Sequence, residues 1–170
     1  MKLLVFSDSH GDTERMRKIL KRNPEADAVL FLGDGRRDVE LLQETPEGRT
    51  KMWVTVRGNC DWFSSDIPEE RLFEYEGVKF LMMHGHTACV KGGTGMLEEY
   101  ARKKDVDIVL FGHTHIPCDS YITGDDSNKP LRIFNPGSIG QPRYGGATFG
   151  YIEIQNGSII TNCAEYMEEK

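Results

Sequence analysis

The first third of the chain alternates short apolar runs with stretches of helical periodicity. Short apolar runs predict buried strands at 2–7 and 28–32, and a third strand is predicted at 52–56. Asp12 is a candidate N-cap for a helix that continues to about Lys21, and a second helix is predicted near 38–43. Alternation of strands and helices favours a mostly parallel sheet with helical cover.

After residue 70 the pattern changes to strands separated by turns. The segments 72–75 and 78–83 flank Glu76-Gly77, which predicts a hairpin, and Asn156-Gly157 is a strong signal for another. A helix is predicted at about 95–103. The remaining predicted strands are 106–111, 119–123, 131–135, 147–155 and 158–164. The α/β first half and hairpin-rich second half predict one compact domain over residues 1–170.

Composition narrows the functional classes. The 170 residues are 38% hydrophobic and 28% charged, an ordinary balance for one globular domain. The net charge of −6, without a block of Lys and Arg, argues against an extended nucleic-acid surface or an anionic membrane. No stretch resembles a signal peptide or a membrane span. The four cysteines are far apart and form no CxxC pair, which predicts a reduced, cytoplasmic chain.

Each histidine lies in a motif that follows a predicted strand, and the ends of strands are where functional loops gather in an open α/β sheet. The five motifs that follow strands are Asp8-Ser9-His10, Gly33-Asp34, Gly58-Asn59-Cys60-Asp61, His84-Gly85-His86 and Gly112-His113-Thr114-His115. In extended backbone, residues two apart point the same way. Asp8 and His10 can therefore face one ion, whereas His113 and His115 can face one ion or two.

The ligand types indicate which metals are expected. Mixed imidazole and carboxylate ligands suit Mn, Fe, Zn, Ni or Co, and suit Ca or Mg poorly. A single histidine after a strand is more often a satisfied polar residue than a ligand. Five such motifs in one chain favour a metal site.

In this order the motifs resemble the calcineurin-like metallophosphoesterases. The later segment from Asn135 to Arg143 (NPGSIGQPR) is similar to the small prokaryotic phosphodiesterase branch of that superfamily. The resemblance implies an α/β fold, a four-layer αββα sandwich of two mixed β-sheets flanked by helices. It implies a phosphodiesterase with two divalent transition metal ions, Mn first and Ni, Fe, Zn or Co as alternatives.

The resemblance also implies how the ligands divide. One metal would take Asp8, His10, Asp34 and His115, and the other would take Asp34, Asn59, His84 and His113. Asp34 would bridge the two ions, and a metal-bound hydroxide would attack the phosphorus of a small phosphodiester. A non-catalytic scaffold of the same fold and a phosphomonoesterase are the alternative functions. The sequence does not decide the oligomeric state, and a homo-oligomer is one alternative.

One position departs from the family pattern. Many members have a histidine after the Gly-Asn motif, thought to protonate the leaving group, where this chain has Cys60. A thiol with a pKa of about 8.5 is a poor proton donor at neutral pH, so Cys60 is interpreted as a small buried filler. The catalytic proton donor is then His86 or a metal-bound water. The alternative role of His86 is to orient His84 or a neighbouring turn. Asn59 and Asp34 complete the predicted catalytic residues.

Several neighbouring residues receive supporting roles. Asp61 is expected to hydrogen-bond into the site without being a ligand, and Asp38 to stabilise the first turn of its helix. Arg143 is a weak candidate for contact with a phosphate oxygen, whereas the Asn-Pro-Gly-Ser segment before it is interpreted as structural. Trp62-Phe63 is left as either a pair of substrate-facing aromatics or loop packing.

Overall fold

The computed structural model describes residues 1–168. Three α-helices are present there, α1 (Thr13–Arg22), α2 (Arg36–Gln43) and α3 (Gly95–Lys103). The ten strands are β1 (Lys2–Phe6), β2 (Ala28–Phe31), β3 (Met52–Thr55), β4 (Glu70–Tyr75), β5 (Val78–Met83), β6 (Ile108–Leu110), β7 (Pro117–Ile122), β8 (Leu131–Pro136), β9 (Thr148–Gln155) and β10 (Ser158–Glu165). A 3₁₀ turn at Val90–Gly92 was not predicted.

The strands form two mixed five-stranded sheets. The first has the order β10-β9-β1-β2-β3, and the second has the order β4-β5-β6-β8-β7. In the first sheet β1, β2 and β3 are parallel, and the C-terminal hairpin returns to pair β9 antiparallel with β1. In the second sheet β5, β6 and β8 are parallel between antiparallel edge strands. The carboxyl ends of these parallel strands carry the predicted site motifs.

Three apolar clusters define the layers. Alternate residues of β1 face different clusters: Leu3 and Val5 pack between the two sheets, whereas Leu4 and Phe6 pack under α1 and α2. The outer face of the second sheet packs against α3 through a third cluster that includes Leu97. The order of layers is therefore helix, sheet, sheet, helix, which confirms the predicted αββα sandwich.

Local sequence signals explain the element boundaries. The Asp12 side chain accepts a hydrogen bond from the Arg15 amide at 3.1 Å and caps α1, as predicted. Asn156 and Gly157 both have positive φ (50° and 77°), which a tight hairpin turn between right-twisted strands requires. The predicted strand at 52–56 is present as β3. Met52 is 52% exposed because β3 is an edge strand.

Among residues 1–168, no helix has the length and apolar character needed to cross a lipid bilayer.

Candidate metal centre

The predicted site residues meet at one end of the sandwich, where loops from both sheets converge. Backbone hydrogen bonds join the loops: the Asp8 amide donates to Gly33 O at 3.0 Å, and the His10 amide donates to Asp34 O at 3.2 Å. The Gly112 amide donates to His84 O at 3.0 Å within the second sheet's half of the site. These bonds fix the distances between ligand candidates that are far apart in sequence.

Asp8, His10 and His115 form one group of potential metal ligands. One donor atom from each lies within 4.8 Å of the other two. His115 Nε2 is 3.0 Å from Asp8 Oδ1, and His10 Nε2 is 3.9 Å from both Asp8 Oδ1 and Asp34 Oδ2. Separations of about 3–4 Å are what ligands at about 2.1 Å from a common ion give.

Asp34, His84 and His113 form the second group, again with donor atoms within 4.8 Å of one another. His84 Nε2 lies 3.3 Å from Asp34 Oδ2, 3.2 Å from His113 Nδ1 and 3.2 Å from Asn59 Oδ1. The structure thus brings together all seven residues that were predicted as ligands. Asp34 Oδ2 lies between the two groups, near both His10 and His84, which is the position a bridging ligand needs.

Backbone carbonyls orient two of the imidazoles. His84 Nδ1 is 2.8 Å from Leu32 O, and His115 Nδ1 is 2.5 Å from Gln141 O. A carbonyl only accepts, so in each ring Nδ1 carries the proton and the Nε2 lone pair faces the centre.

Two buried polar atoms at the centre lack hydrogen bonds. Asp8 Oδ1 and His10 Nε2 are inaccessible to solvent and have no hydrogen bond of normal geometry within the described residues. Buried polar atoms without partners are costly, and an ion held by the Asp8–His10–His115 group would satisfy both. The donor set, mainly imidazole and carboxylate, therefore fits divalent transition metals.

The ionisable groups perturb each other strongly. Burial favours neutral His84, but the neighbouring carboxylates of Asp34 and Asp8 outweigh burial and raise its pKa. Burial likewise opposes ionisation of Asp34, yet the hydrogen bond and charge of His84 hold the pKa of that carboxyl well below its usual range. Burial, followed by the charge of His84, lowers the pKa of His113 to about 4. A neutral imidazole is the form that binds metal.

Five of the predicted ligands have a left-handed backbone: Asp8, His10, Asp34, His113 and His115, with φ of 53°, 43°, 60°, 66° and 58°. Asp and His adopt this conformation more readily than most residues, but it still costs about 1–3 kcal/mol at each site. Such a concentration at one end of the sheets indicates that the fold holds these side chains in set directions.

Gly58 is required by a close approach of two loops. A Cβ atom at this position would lie 2.1 Å from Asp34 Oδ1 and 2.6 Å from Asp34 N. Only glycine allows the Asn59 loop to pack directly against Asp34.

Asp61 anchors the loop that carries Asp34. Its Oδ2 accepts from the amides of Asp34 and Gly58, both at 2.8 Å, and its Oδ1 accepts from Gly35 and Arg36, both at 3.0 Å. These amides belong to the Asp34 turn, the Asn59 turn and the start of α2. The prediction that Asp61 hydrogen-bonds into the site is confirmed.

Asp38 does more than the predicted stabilisation of its helix. Its Oδ2 accepts from Ser9 Oγ at 2.6 Å and from the Gly11 amide at 2.8 Å, and the residue is 7% exposed. Asp38 therefore ties α2 to the Asp8–His10 turn. No local pattern predicts this contact, since Ser9 and Asp38 are far apart in the chain.

The Asn-Pro-Gly-Ser segment has the predicted structural role. Asn135 Nδ2 donates to Gly112 O at 3.0 Å, and Ser138 Oγ donates to Asp8 O at 2.8 Å. The segment thereby joins the two turns that carry Asp8 and His113. Arg143 is exposed, and its amide donates to His115 O at 3.1 Å, so its backbone lies beside the centre. Contact between Arg143 and a phosphate oxygen stays a prediction.

The interpretation of Cys60 as a buried filler is wrong. The residue is exposed, its amide donates to Asp34 Oδ1 at 2.7 Å, and its Sγ lies within 4.8 Å of donor atoms of His10 and Asp34. Local burial and the nearby carboxylates, Asp34 first, raise the pKa of the thiol to about 11. Cys60 therefore keeps its proton at neutral pH and is a weak acid.

His86 lies at the margin of the second group. Its ring centre is 5.5 Å from that of His84 and 6.1 Å from that of His113. Its Nδ1 is buried and has no hydrogen-bond partner within residues 1–168. Both interpretations of His86 stay predictions.

Trp62 and Phe63 project into solvent beside this centre. They are 81% and 100% exposed, so they do not pack into their loop. Of the two interpretations, loop packing is wrong.

Comparison with known proteins identifies the family. Residues 1–157 match the model of the calcineurin-like phosphoesterase superfamily domain. "Probable metallophosphoesterase YsnB" of Bacillus subtilis is 35% identical over 146 residues, which cover 84% of this chain and 78% of that protein. "Phosphodiesterase YfcE" of Escherichia coli K12 is 24% identical over 94% of this chain and 91% of its own length.

A solved structure supports the same assignment. A conserved protein of Streptococcus pneumoniae, described as a predicted phosphoesterase, superposes with a TM-score of 0.76 at 27% identity. The match covers 97% of this chain and 89% of that one. The chain therefore belongs to the calcineurin-like phosphoesterase superfamily, within its small prokaryotic branch.

Proposed function

We propose that the protein is a two-metal-dependent phosphodiesterase. The observation that carries the proposal is the pair of donor groups, Asp8–His10–His115 and Asp34–His84–His113, with Asp34 between them. Two divalent ions held there would activate water and stabilise the phosphoryl oxygens during in-line displacement. Manganese is the first candidate, and nickel, iron, zinc and cobalt are alternatives.

The protein's own residues have distinct roles in this proposal. The Asn59 amide oxygen lies 3.2 Å from His84 Nε2 and would complete the second ligand set. His86 is proposed to donate the proton to the leaving group, because the Cys60 thiol is too weak an acid. Arg143, at the His115 side of the centre, is proposed to bind a phosphate oxygen.

Charge supports a diester substrate. Two divalent ions beside the carboxylates of Asp8 and Asp34 leave two positive charges. A hydroxide and a phosphodiester monoanion balance them, whereas a monoester dianion adds an excess negative charge. The relative YfcE, which is named as a phosphodiesterase, supports the same choice.

A non-catalytic scaffold is the second candidate, favoured by the missing motif histidine at Cys60. A scaffold without catalysis has no need for a full ligand set, yet every predicted ligand position is occupied and its donor atoms converge. A cytoplasmic location is also proposed, and the four free cysteines are in keeping with a reducing compartment.

The test is hydrolysis by apo protein reconstituted with Mn²⁺, Ni²⁺, Zn²⁺ or Mg²⁺. A 4-nitrophenyl phosphodiester and the corresponding monoester are compared at equal concentration. We expect metal-dependent turnover that is faster for the diester. Absence of turnover with every metal would reject the enzyme in favour of the scaffold, and faster cleavage of the monoester would reject the diester preference.

A further inference from the structure

The loop between β3 and β4 carries the two most exposed large hydrophobic side chains among residues 1–168. Trp62 is 81% exposed and its neighbour Phe63 is 100% exposed. Single exposed apolar residues are common on protein surfaces, but two adjacent aromatics without a partner are unusual. Large aromatic surfaces held in water beside a polar site are typical of ligand recognition.

The loop is anchored, so the aromatic pair is presented by ordered backbone. The Arg57 amide donates to Pro68 O at 3.0 Å and closes the base of the loop. Near the tip, the Ser64 amide donates to Asp61 O at 3.1 Å, and Ser64 is 3% exposed. Asp61 itself is fixed by four amides, as described above. Trp62 and Phe63 thus lie between two fixed residues.

The position of the pair relative to the metal centre is set by the chain. Cys60 is bonded through its amide to Asp34 Oδ1, and Trp62 follows two residues later. Consecutive Cα atoms are 3.8 Å apart, so the Trp62 Cα lies within about 8 Å of the Cys60 Cα. The loop that carries the pair therefore begins at the metal centre.

We propose that Trp62 and Phe63 form a stacking platform for a planar aromatic substituent of the substrate, an aryl group or a nucleobase. This inference rests on the phosphodiesterase function proposed above and narrows its substrates to aryl or nucleoside phosphodiesters. Stacking of a base on an aromatic side chain changes affinity by about ten-fold or more. Such stacking tolerates different ring systems, because every base presents a π-face.

The test measures binding to the Mn²⁺-loaded protein by calorimetry, with three probes that resemble the product: methyl phosphate, phenyl phosphate and adenosine 5′-monophosphate. We expect the two aromatic probes to bind about ten-fold more tightly than methyl phosphate. Trp62→Ala with Phe63→Ala should remove this preference and leave methyl phosphate binding unchanged. Preference for adenosine monophosphate alone assigns a nucleobase, and equal preference for both aromatic probes assigns aryl groups in general.

Tyr121→Ala is the matched control, because Tyr121 is 58% exposed on β7, outside the loops of the centre. It should leave all three affinities unchanged. The chain has two tryptophans, so Trp53→Phe makes Trp62 the sole tryptophan, whose emission can be excited selectively over that of the tyrosines. Its emission should be quenched by adenosine monophosphate and not by methyl phosphate.

Equal affinity for all three probes, or an aromatic preference that survives both substitutions, would overturn the platform. A change of oligomeric state in the double variant without a change in preference would also overturn it, since the pair would then be an interface between copies. The measurement requires no hydrolysis, so it separates this inference from the proposed activity. If the protein hydrolyses diesters but Trp62→Ala leaves the affinities for the aromatic probes unchanged, the platform is refuted and the proposed function is not.

Discussion

At the scale of single residues, the Asp34 carboxylate has contacts with both groups of ligand candidates. Its Oδ1 accepts from the Cys60 amide at 2.7 Å, and its Oδ2 faces His84 at 3.3 Å and His10 at 3.9 Å. Its left-handed backbone (φ 60°) directs the carboxylate between the two groups. Loss of one negative charge at this position should therefore affect both metals.

Asp34→Asn is expected to lower the rate of diester hydrolysis by about 100-fold or more and to reduce bound metal from two ions towards one. An amide is a weaker bridging ligand because it has one neutral oxygen. Elemental analysis beside initial rates measures both effects. Asp125→Asn, on an exposed turn, is the control and should change neither. A fully active Asp34→Asn would refute the bridging role.

Cys60→His tests where the leaving-group proton comes from. The thiol, with its pKa raised to about 11, is a weak donor at neutral pH, whereas an imidazole titrates near neutrality. We expect faster hydrolysis of diesters with poor leaving groups, by about ten-fold or more, and little change for 4-nitrophenyl esters. The ratio of the two rates is the readout. An unchanged ratio would mean that proton donation at this position does not limit the reaction.

At the scale of elements, the site depends on turns between strands and helices that are held by side chains outside the ligand set. Asp61 joins three segments through four amide hydrogen bonds, and Asp38 fixes the turn after β1 from the first turn of α2. The helix α2 therefore contributes to the geometry of the site although it supplies no ligand.

Asp61→Asn should destabilise the protein by about 1–3 kcal/mol, because one carboxylate oxygen becomes an amide donor that faces two backbone amides. Metal affinity should fall as the Asp34 turn loosens. Urea denaturation and Mn²⁺ titration measure the two effects. Asp126→Asn, an exposed acid outside the loops of the centre, is the control. If Asp61→Asn has the same stability and Mn²⁺ affinity as the unsubstituted protein, the backbone amides that Asp61 binds must be satisfied in another way.

Gly58→Ala tests the close approach of the Asn59 loop to Asp34. The added Cβ would lie 2.1 Å from Asp34 Oδ1, so one loop must move and Mn²⁺ affinity should fall by about ten-fold or more. Gly92→Ala is the control, since its Cβ would meet no atom within 4 Å. Isothermal titration gives both affinities. Equal affinities would contradict the requirement for glycine.

The sequence predicted most elements and all the ligand candidates, for identifiable reasons. Period-two and period-3.6 apolar patterns set the strands and helices, and short motifs after strands marked the ligands. The contacts of Asp38 and the exposure of Cys60 and Trp62 could not be read from the sequence. They depend on which loops become neighbours when the two sheets pack, and local sequence does not carry that information.

At the scale of the whole molecule, the chain is acidic, with a net charge of −6. A chain of that charge repels a phosphate ester unless bound cations reverse the local field. The site also joins both sheets, because Asp8, Asp34 and Asn59 follow strands of the first sheet, and His84 and His113 follow strands of the second. Metal binding should therefore stabilise the packing of the sheets on each other.

Mn²⁺ is expected to raise the midpoint of thermal unfolding of the apo protein. Saturation at a hundred-fold excess over the dissociation constant stabilises by about 2.7 kcal/mol, or about 5–10 °C for a chain of this size. Differential scanning calorimetry with and without Mn²⁺ measures the shift, and chelation should reverse it. A shift of the same size in His84→Ala would place the ion elsewhere.

The most direct test of a two-metal phosphodiesterase is titration of the apo protein with Mn²⁺ while both bound metal and diester hydrolysis are followed. We predict that two ions bind per chain and that activity rises mainly with the second equivalent, because both ligand groups must be filled. Full activity at one equivalent, or two bound ions without hydrolysis of any diester, would contradict the proposed mechanism.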